Sequence, residues 1–75
     1  MTLGEVAFHW LLLASGEVIK IDGYVTSQKL QDYIVADDAF GIRPPLDQCE
    51  LALKLLTDSG FIIALPNGEY IRNKH

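Results

Sequence analysis

The side chains in this sequence that could do chemistry are few: a single thiol at Cys49, an imidazole at His9, and carboxylates grouped at Asp32, Asp37 and Asp38 and at Asp22. Cys49 falls in the first turn of an expected helix, where the positive end of the helix dipole can lower a thiol pKa. Asp47 and Glu50 beside it oppose thiolate formation, and its wheel position is apolar, so a buried structural thiol is expected. His9 could serve as base or ligand. It has no partner at ligand spacing, and one imidazole does not make a metal site. Asp32, Asp37 and Asp38 could attract a cation or a basic partner, but a charge run of this kind more often solvates a helix end. Asp22-Gly23 resembles the start of a calcium loop without the flanking acids such a loop needs. Glycine-rich phosphate loops, nucleophile elbows and paired catalytic acids are missing from the sequence. The expectation is a non-enzymatic protein with no cofactor and no metal.

Chain-wide properties narrow the class. With 75 residues, one domain spanning 1–75 is expected. Such a domain buries only about 60% of its unfolded surface, so support from a second copy or a partner would be natural. Hydrophobic residues make up 49%, enough for a core and too many for general disorder. Six Lys and Arg face ten Asp and Glu, a net charge of -4, the opposite of the usual bias of a phosphate-binding surface. Residues 6–14 are apolar except for His9, yet the lead-in carries an acid and no base, unlike a secretory signal. The run is also shorter than the roughly 20 residues of a membrane span. A soluble, cytoplasmic protein is expected.

The elements that must position these residues follow from caps and periodicity. Thr2 and Glu5 fit a capping box for a first helix that runs to about Ser15 and stops at Gly16. Its apolar residues surround most of the wheel: Leu3, Val6, Trp10 and Ala14 to one side, Phe8 and Leu12 to the other. Residues 17–25 are β-rich. Val18-Ile19-Lys20-Ile21 forms either a tight hairpin with Tyr24-Val25 about Asp22-Gly23, or a single strand leading into a second helix. Thr26 or Ser27 caps that helix, with Val25 and Leu30 as a hydrophobic staple if Thr26 is the cap. Leu30, Tyr33 and Ile34 share its inner face, Gly41 ends it, and Arg43-Pro44-Pro45 imposes an extended link. Asp47 and Glu50 fit the capping box of a third helix, with Leu46 and Leu51 as its staple and Glu50–Lys54 as an i,i+4 ion pair. Gly60 closes it. Residues 61–65 and 69–72 read as strands about a Pro66-Asn67-Gly68 turn. The fold class is α+β: three helices with a C-terminal β-hairpin.

This order resembles the winged helix-turn-helix superfamily over nearly the whole chain. The most specific stretch is Leu53-Lys54-Leu55-Leu56-Thr57-Asp58-Ser59-Gly60-Phe61-Ile62, similar to the passage by which such domains leave their third helix for the wing. The connection across residues 37–45 is longer than the turn usual in that family. The resemblance implies a third helix that reads the major groove of DNA and a wing that touches the backbone. By position, Gln48, Glu50, Lys54, Thr57 and Asp58 would be the readers, with Asn67 and Gly68 at the wing tip.

Physical chemistry pulls against that implication. Affinity for DNA comes largely from cations meeting phosphates, and base reading favours Arg, Lys, Asn and Gln. The expected outer arc of the third helix holds one Lys against Glu50 and Asp58. The preferred expectation is therefore a regulatory or interaction module, dimeric or partner-bound, that docks an acidic and apolar surface on another protein. Phe8, Trp10, Leu12, Glu50 and Asp58 are its candidate contacts. A basic partner such as a nucleic-acid-binding protein suits the charge, in the setting of an accessory or phage-type inhibitor. The alternative is a DNA-binding regulator using Arg43, Gln48, Lys54, Thr57, Asn67, Arg72 and Lys74, with Lys20 and Lys29, converging on one face.

Overall fold

The computed structural model describes residues 5–37 and 43–74. The expected cap at Thr2, the carboxylates of Asp37 and Asp38 and the stop at Gly41 lie outside what is described.

The first helix, α1 (Glu5–Asp22), runs straight through Gly16. Leu11, Ala14, Ser15, Val18 and Ile19 are all buried, at the i, i+3, i+4, i+7, i+8 spacing of one helix face. This stripe crosses the glycine without a break. Its burial outweighs the roughly 1 kcal/mol that a mid-helix glycine costs. The expected stop at Gly16 and the expected strand or hairpin over 18–21 are thus both replaced by helix. The true stop is Gly23, at φ 86°, whose N–H donates to the Ile19 carbonyl at 2.7 Å. That is the left-handed C-terminal cap that glycine supplies at low steric cost.

Between α1 and the second helix, α2 (Ser27–Asp37), the extended element shrinks to one residue. Val25 forms an antiparallel bridge with Tyr70. The Lys29 N–H then donates to Thr26 Oγ1 at 3.1 Å, which makes Thr26, of the two candidates Thr26 and Ser27, the cap. Val25 and Leu30, the expected staple, are both fully buried. Gln31, also buried, fastens α2 to the extended link ahead of the third helix. Its Nε2 donates to the Pro44 carbonyl at 2.8 Å, and its Oε1 accepts from Arg43 Nη1 at 3.3 Å.

The third helix, α3 (Leu46–Asp58), begins earlier than the capping box implied. Pro45 is its N-cap, in an extended conformation at φ -61° and ψ 146°, and no side chain caps it. Asp47 lies inside the helix, where its Oδ1 accepts from the N–H of Gln48. Leu46 is the first helical residue rather than the one before the cap, and it and Leu51 are both exposed. Glu50 and Lys54 make no ion pair; Lys29–Asp22 is the salt bridge found among the described residues. The helix ends as the sequence implied. Gly60, at φ 85°, donates its N–H to Thr57 O, and Phe61 donates to Leu56 O, each at 3.0 Å. This is a Schellman motif.

The hairpin pairs β1 (Ile62–Ala64) with β2 (Tyr70–Arg72) in antiparallel register, Ile62 opposite Arg72, Ile63 opposite Ile71 and Ala64 opposite Tyr70. Its turn carries a Gly68 N–H to Leu65 O bond and a Leu65 N–H to Glu69 O bond, the pattern of a type I turn followed by a bulge. Glycine 68 sits at the bulge, and Asn67 Oδ1 accepts from the N–H of Glu69. Among the described residues the result is α+β, three helices with a C-terminal hairpin. One core joins α1, Val25, Leu30 and Ile34 of α2, Cys49, Ala52 and Leu53 of α3, and Ile62 of β1.

Candidate functional site

The hairpin register creates two different surfaces on its inner side. Paired residues in an antiparallel ladder face the same way, and alternate pairs face opposite ways. Ile62–Arg72 and Ala64–Tyr70 therefore share one face, and Ile63–Ile71 turns away. A groove opens at each end of the shared face.

The tip groove, about 410 Å³, lies between Ala64, Gly68 and Tyr70 of the hairpin and Glu50, Lys54 and Thr57 of α3. Its walls carry one cation and one carboxylate. Thr57 is part-buried, and its Oγ1 donates to the Leu53 carbonyl one turn back in α3 at 2.8 Å.

The base groove is larger, about 810 Å³, and lies between α1, the end of α3 and the base of the hairpin. Leu12, Ile19, Leu56 and Ile62 make its apolar lining. Three exposed cations also line it: Lys20 of α1, with Arg72 and Lys74 from the hairpin's second strand and the residues after it. No carboxylate lines it among the described residues.

A third surface is the outer side of α3. Asp47, Leu51, Leu55 and Asp58 follow one another at i, i+4, i+8 and i+11, which lays them along a single stripe. Leu51 and Leu55 keep 44% and 43% of their surface in solvent. Glu50 and Lys54 run beside them, also exposed. The stripe therefore holds two half-exposed leucines bracketed by carboxylates.

These three surfaces place the candidate residues. Phe8, Trp10 and Leu12 are part-buried against the core, and Leu12 reaches the base groove. Glu50 and Asp58 are exposed on α3. Of the candidate DNA contacts, Lys54 and Thr57 line the tip groove, whereas Arg72 and Lys74 line the base groove. Arg43 is bonded to Gln31, Gln48 is part-buried, and Asn67 is engaged within its own turn. Lys29 is held by Asp22 at 3.0 Å and lies 4.8 Å from the Tyr24 ring centroid. That hydrogen bond with Asp22 raises the Lys29 pKa. The cations are thus divided among several places rather than gathered on the outer face of α3.

By residue type alone, Arg72, Lys74 and Lys20 are candidate phosphate contacts and nothing more. Nothing in the sequence signals their meeting around an apolar groove, because that meeting depends on α1 continuing past Gly16.

Cys49 is fully buried. Burial pushes its thiol up to about 11, with the charges of Asp47 and Glu50 adding to the rise. His9 is exposed. No group of three His, Cys, Asp or Glu that could hold a metal occurs among the described residues. No helix among them is long and apolar enough to cross a membrane. No protein-family model, curated protein or solved structure matches this chain.

Proposed function

We propose that this chain is a small, non-enzymatic interaction module of winged-helix-like build that acts by docking the outer stripe of α3 on another protein or on a second copy of itself. The observation that carries this reading is the half-exposure of Leu51 and Leu55 between Asp47 and Asp58. A surface leucine alone needs no explanation, but two on one stripe with flanking charge have the make-up of an interface: an apolar centre and a polar rim. Leu46, also exposed, lies at the start of the same helix. The winged-helix reading draws support from the order helix, short extended link, helix, helix, hairpin, with Val25 of the link paired to β2.

The charge of this stripe favours a partner with apolar residues beside cations. The same charge disfavours DNA, since carboxylates near phosphates cost Coulomb energy and release no counterions.

Affinity capture from the source cells, with sedimentation of the purified chain alongside, tests the reading. The wild type retains a protein partner or self-associates, and the Leu51→Lys/Leu55→Lys variant loses it while keeping its circular dichroism. A strictly monomeric chain that retains nothing, or one whose complex survives the double substitution, overturns the reading. So does tight, steeply salt-dependent DNA binding in a gel shift that Lys54→Glu weakens.

A further inference from the structure

We infer that the base groove receives the α3 stripe of a second copy of this chain, so that copies join head to tail. The inference rests on the preceding reading of the α3 stripe and names what that stripe meets.

The groove's chemistry is the reverse of the chain's overall charge. The protein carries -4, yet three of its six Lys and Arg line this one hollow, with no carboxylate beside them among the described residues. Lys20, Arg72 and Lys74 take part in no ion pair among the described residues, in contrast to Lys29. Phe61, two-thirds exposed at 67%, adds an unsatisfied aromatic face to the groove. An occupant must therefore offer apolar side chains to Leu12, Ile19, Leu56 and Phe61, and carboxylates to the cations.

A polyanion such as nucleic acid would satisfy the cations and leave the apolar lining against phosphates. A neutral apolar helix would do the opposite. The Asp47–Leu51–Leu55–Asp58 stripe satisfies both, with leucines at its centre and a carboxylate at each end. Beside the stripe Glu50 adds a third carboxylate and Lys54 a cation, so the occupant brings three carboxylates and one cation to the groove's three cations.

The α1 wall also lets a helix come close. Gly16 and Gly23 both line the groove, and a Cβ placed on either would meet no heavy atom within 4 Å. Groove and stripe are different surfaces of one chain, so the contact is heterologous: each copy gives its stripe to one neighbour and its groove to another. Such contacts make rings when the rotation closes and filaments when it does not.

Complementing variants test this directly. Arg72→Glu/Lys74→Glu disables the groove and spares the stripe; Leu51→Lys/Leu55→Lys disables the stripe and spares the groove. All four side chains are exposed, and circular dichroism with thermal unfolding confirms that each variant folds. Sedimentation of the wild type up to about 1 mM, a range that reaches weak contacts, should show association beyond a dimer. Each variant alone should associate at least about tenfold more weakly, since truncating or reversing interface charges and anchors costs at least that much. An equimolar mixture should restore a one-to-one heterodimer that grows no further, because each variant retains one working surface.

The inference is overturned if the wild type stays monomeric, if the mixture stays monomeric, or if the groove variant associates as the wild type does. The last result would mark a symmetric stripe-to-stripe dimer. Loss of a foreign partner in the stripe variant, with the wild type monomeric throughout, would remove this inference and leave the interaction-module reading intact.

Discussion

Val25 and Tyr70 exchange both of their backbone hydrogen bonds, Val25 N–H to Tyr70 O at 2.9 Å and Tyr70 N–H to Val25 O at 2.8 Å. This single pair makes β2 the middle of three extended segments, with β1 on one side and the α1–α2 link on the other. Because Val25 is fully buried, the pair also ties the hairpin into the core. The amides of Val25 and Tyr70 should be among the slowest to exchange hydrogen in the native protein. Replacing Val25 with Ala should destabilise the domain by about 2 kcal/mol, the loss of buried methyl groups plus the hollow they leave. Exchange at the rate of the exposed hairpin turn would show that the pair does not hold in solution.

Gly16→Ala should stabilise the protein by about 0.5–1 kcal/mol. Alanine avoids the entropic cost of glycine in a helix, and the added Cβ meets no atom within 4 Å. Chemical denaturation would measure the gain. The same methyl projects toward the base groove, so head-to-tail association should weaken as stability rises. A variant that lost stability would show that the helix does not pass through residue 16.

Cys49 makes a pH prediction with a definite sign. Its thiol pKa is raised in the folded state from 9.0 to about 11. The fold therefore favours the protonated thiol. The resulting stabilisation is complete below pH 9.0 and is lost as pH rises through about 11. Denaturation midpoints of wild type and Cys49→Ala should converge across that window, apart from a constant packing offset. The native thiol should also resist alkylation near neutral pH and react once the chain is unfolded.

Gln31→Leu should cost about 1–3 kcal/mol, because it leaves the buried Pro44 carbonyl without its donor. It also removes the acceptor for Arg43 Nη1. Thermal unfolding would measure the cost. A neutral result would mean that water replaces the amide.

What could be read from the sequence followed the range of the interactions involved. The Gly60 stop, the hairpin turn, the Thr26 cap and the burial of Val25 with Leu30 all depend on neighbours a few residues away, so residue type and spacing announced them. The second half of α1 was hidden by two local signals that tertiary packing overrode. Gly16 resembles a terminator, and Val18-Ile19-Lys20-Ile21 has the β-branched make-up of a strand. The spacing of Leu11, Ala14, Ser15, Val18 and Ile19 was the signal that could have shown the helix continuing. Asp47 and Glu50 fit a capping box and so suggest a later start for α3, whereas Pro45 already supplies the extended residue and leaves Leu46 helical. The α3 stripe is partly visible in the sequence, through Asp58 and the neighbouring Glu50. The base groove is not, since Lys20 meets Arg72 and Lys74 only after α1 has been extended and the hairpin has closed.

The bridge at Val25 has a consequence for biosynthesis. Its partner lies beyond α2, α3 and β1 in the order of translation, so a ribosome must deliver nearly the whole domain before that closure can form. Helices emerging earlier would lack the hairpin's share of the core, Ile62 and Tyr70, and would be open to proteases and chaperones on that side until Tyr70 leaves the exit tunnel. A nascent chain arrested just before that residue should be cut readily, and one arrested well past it should resist.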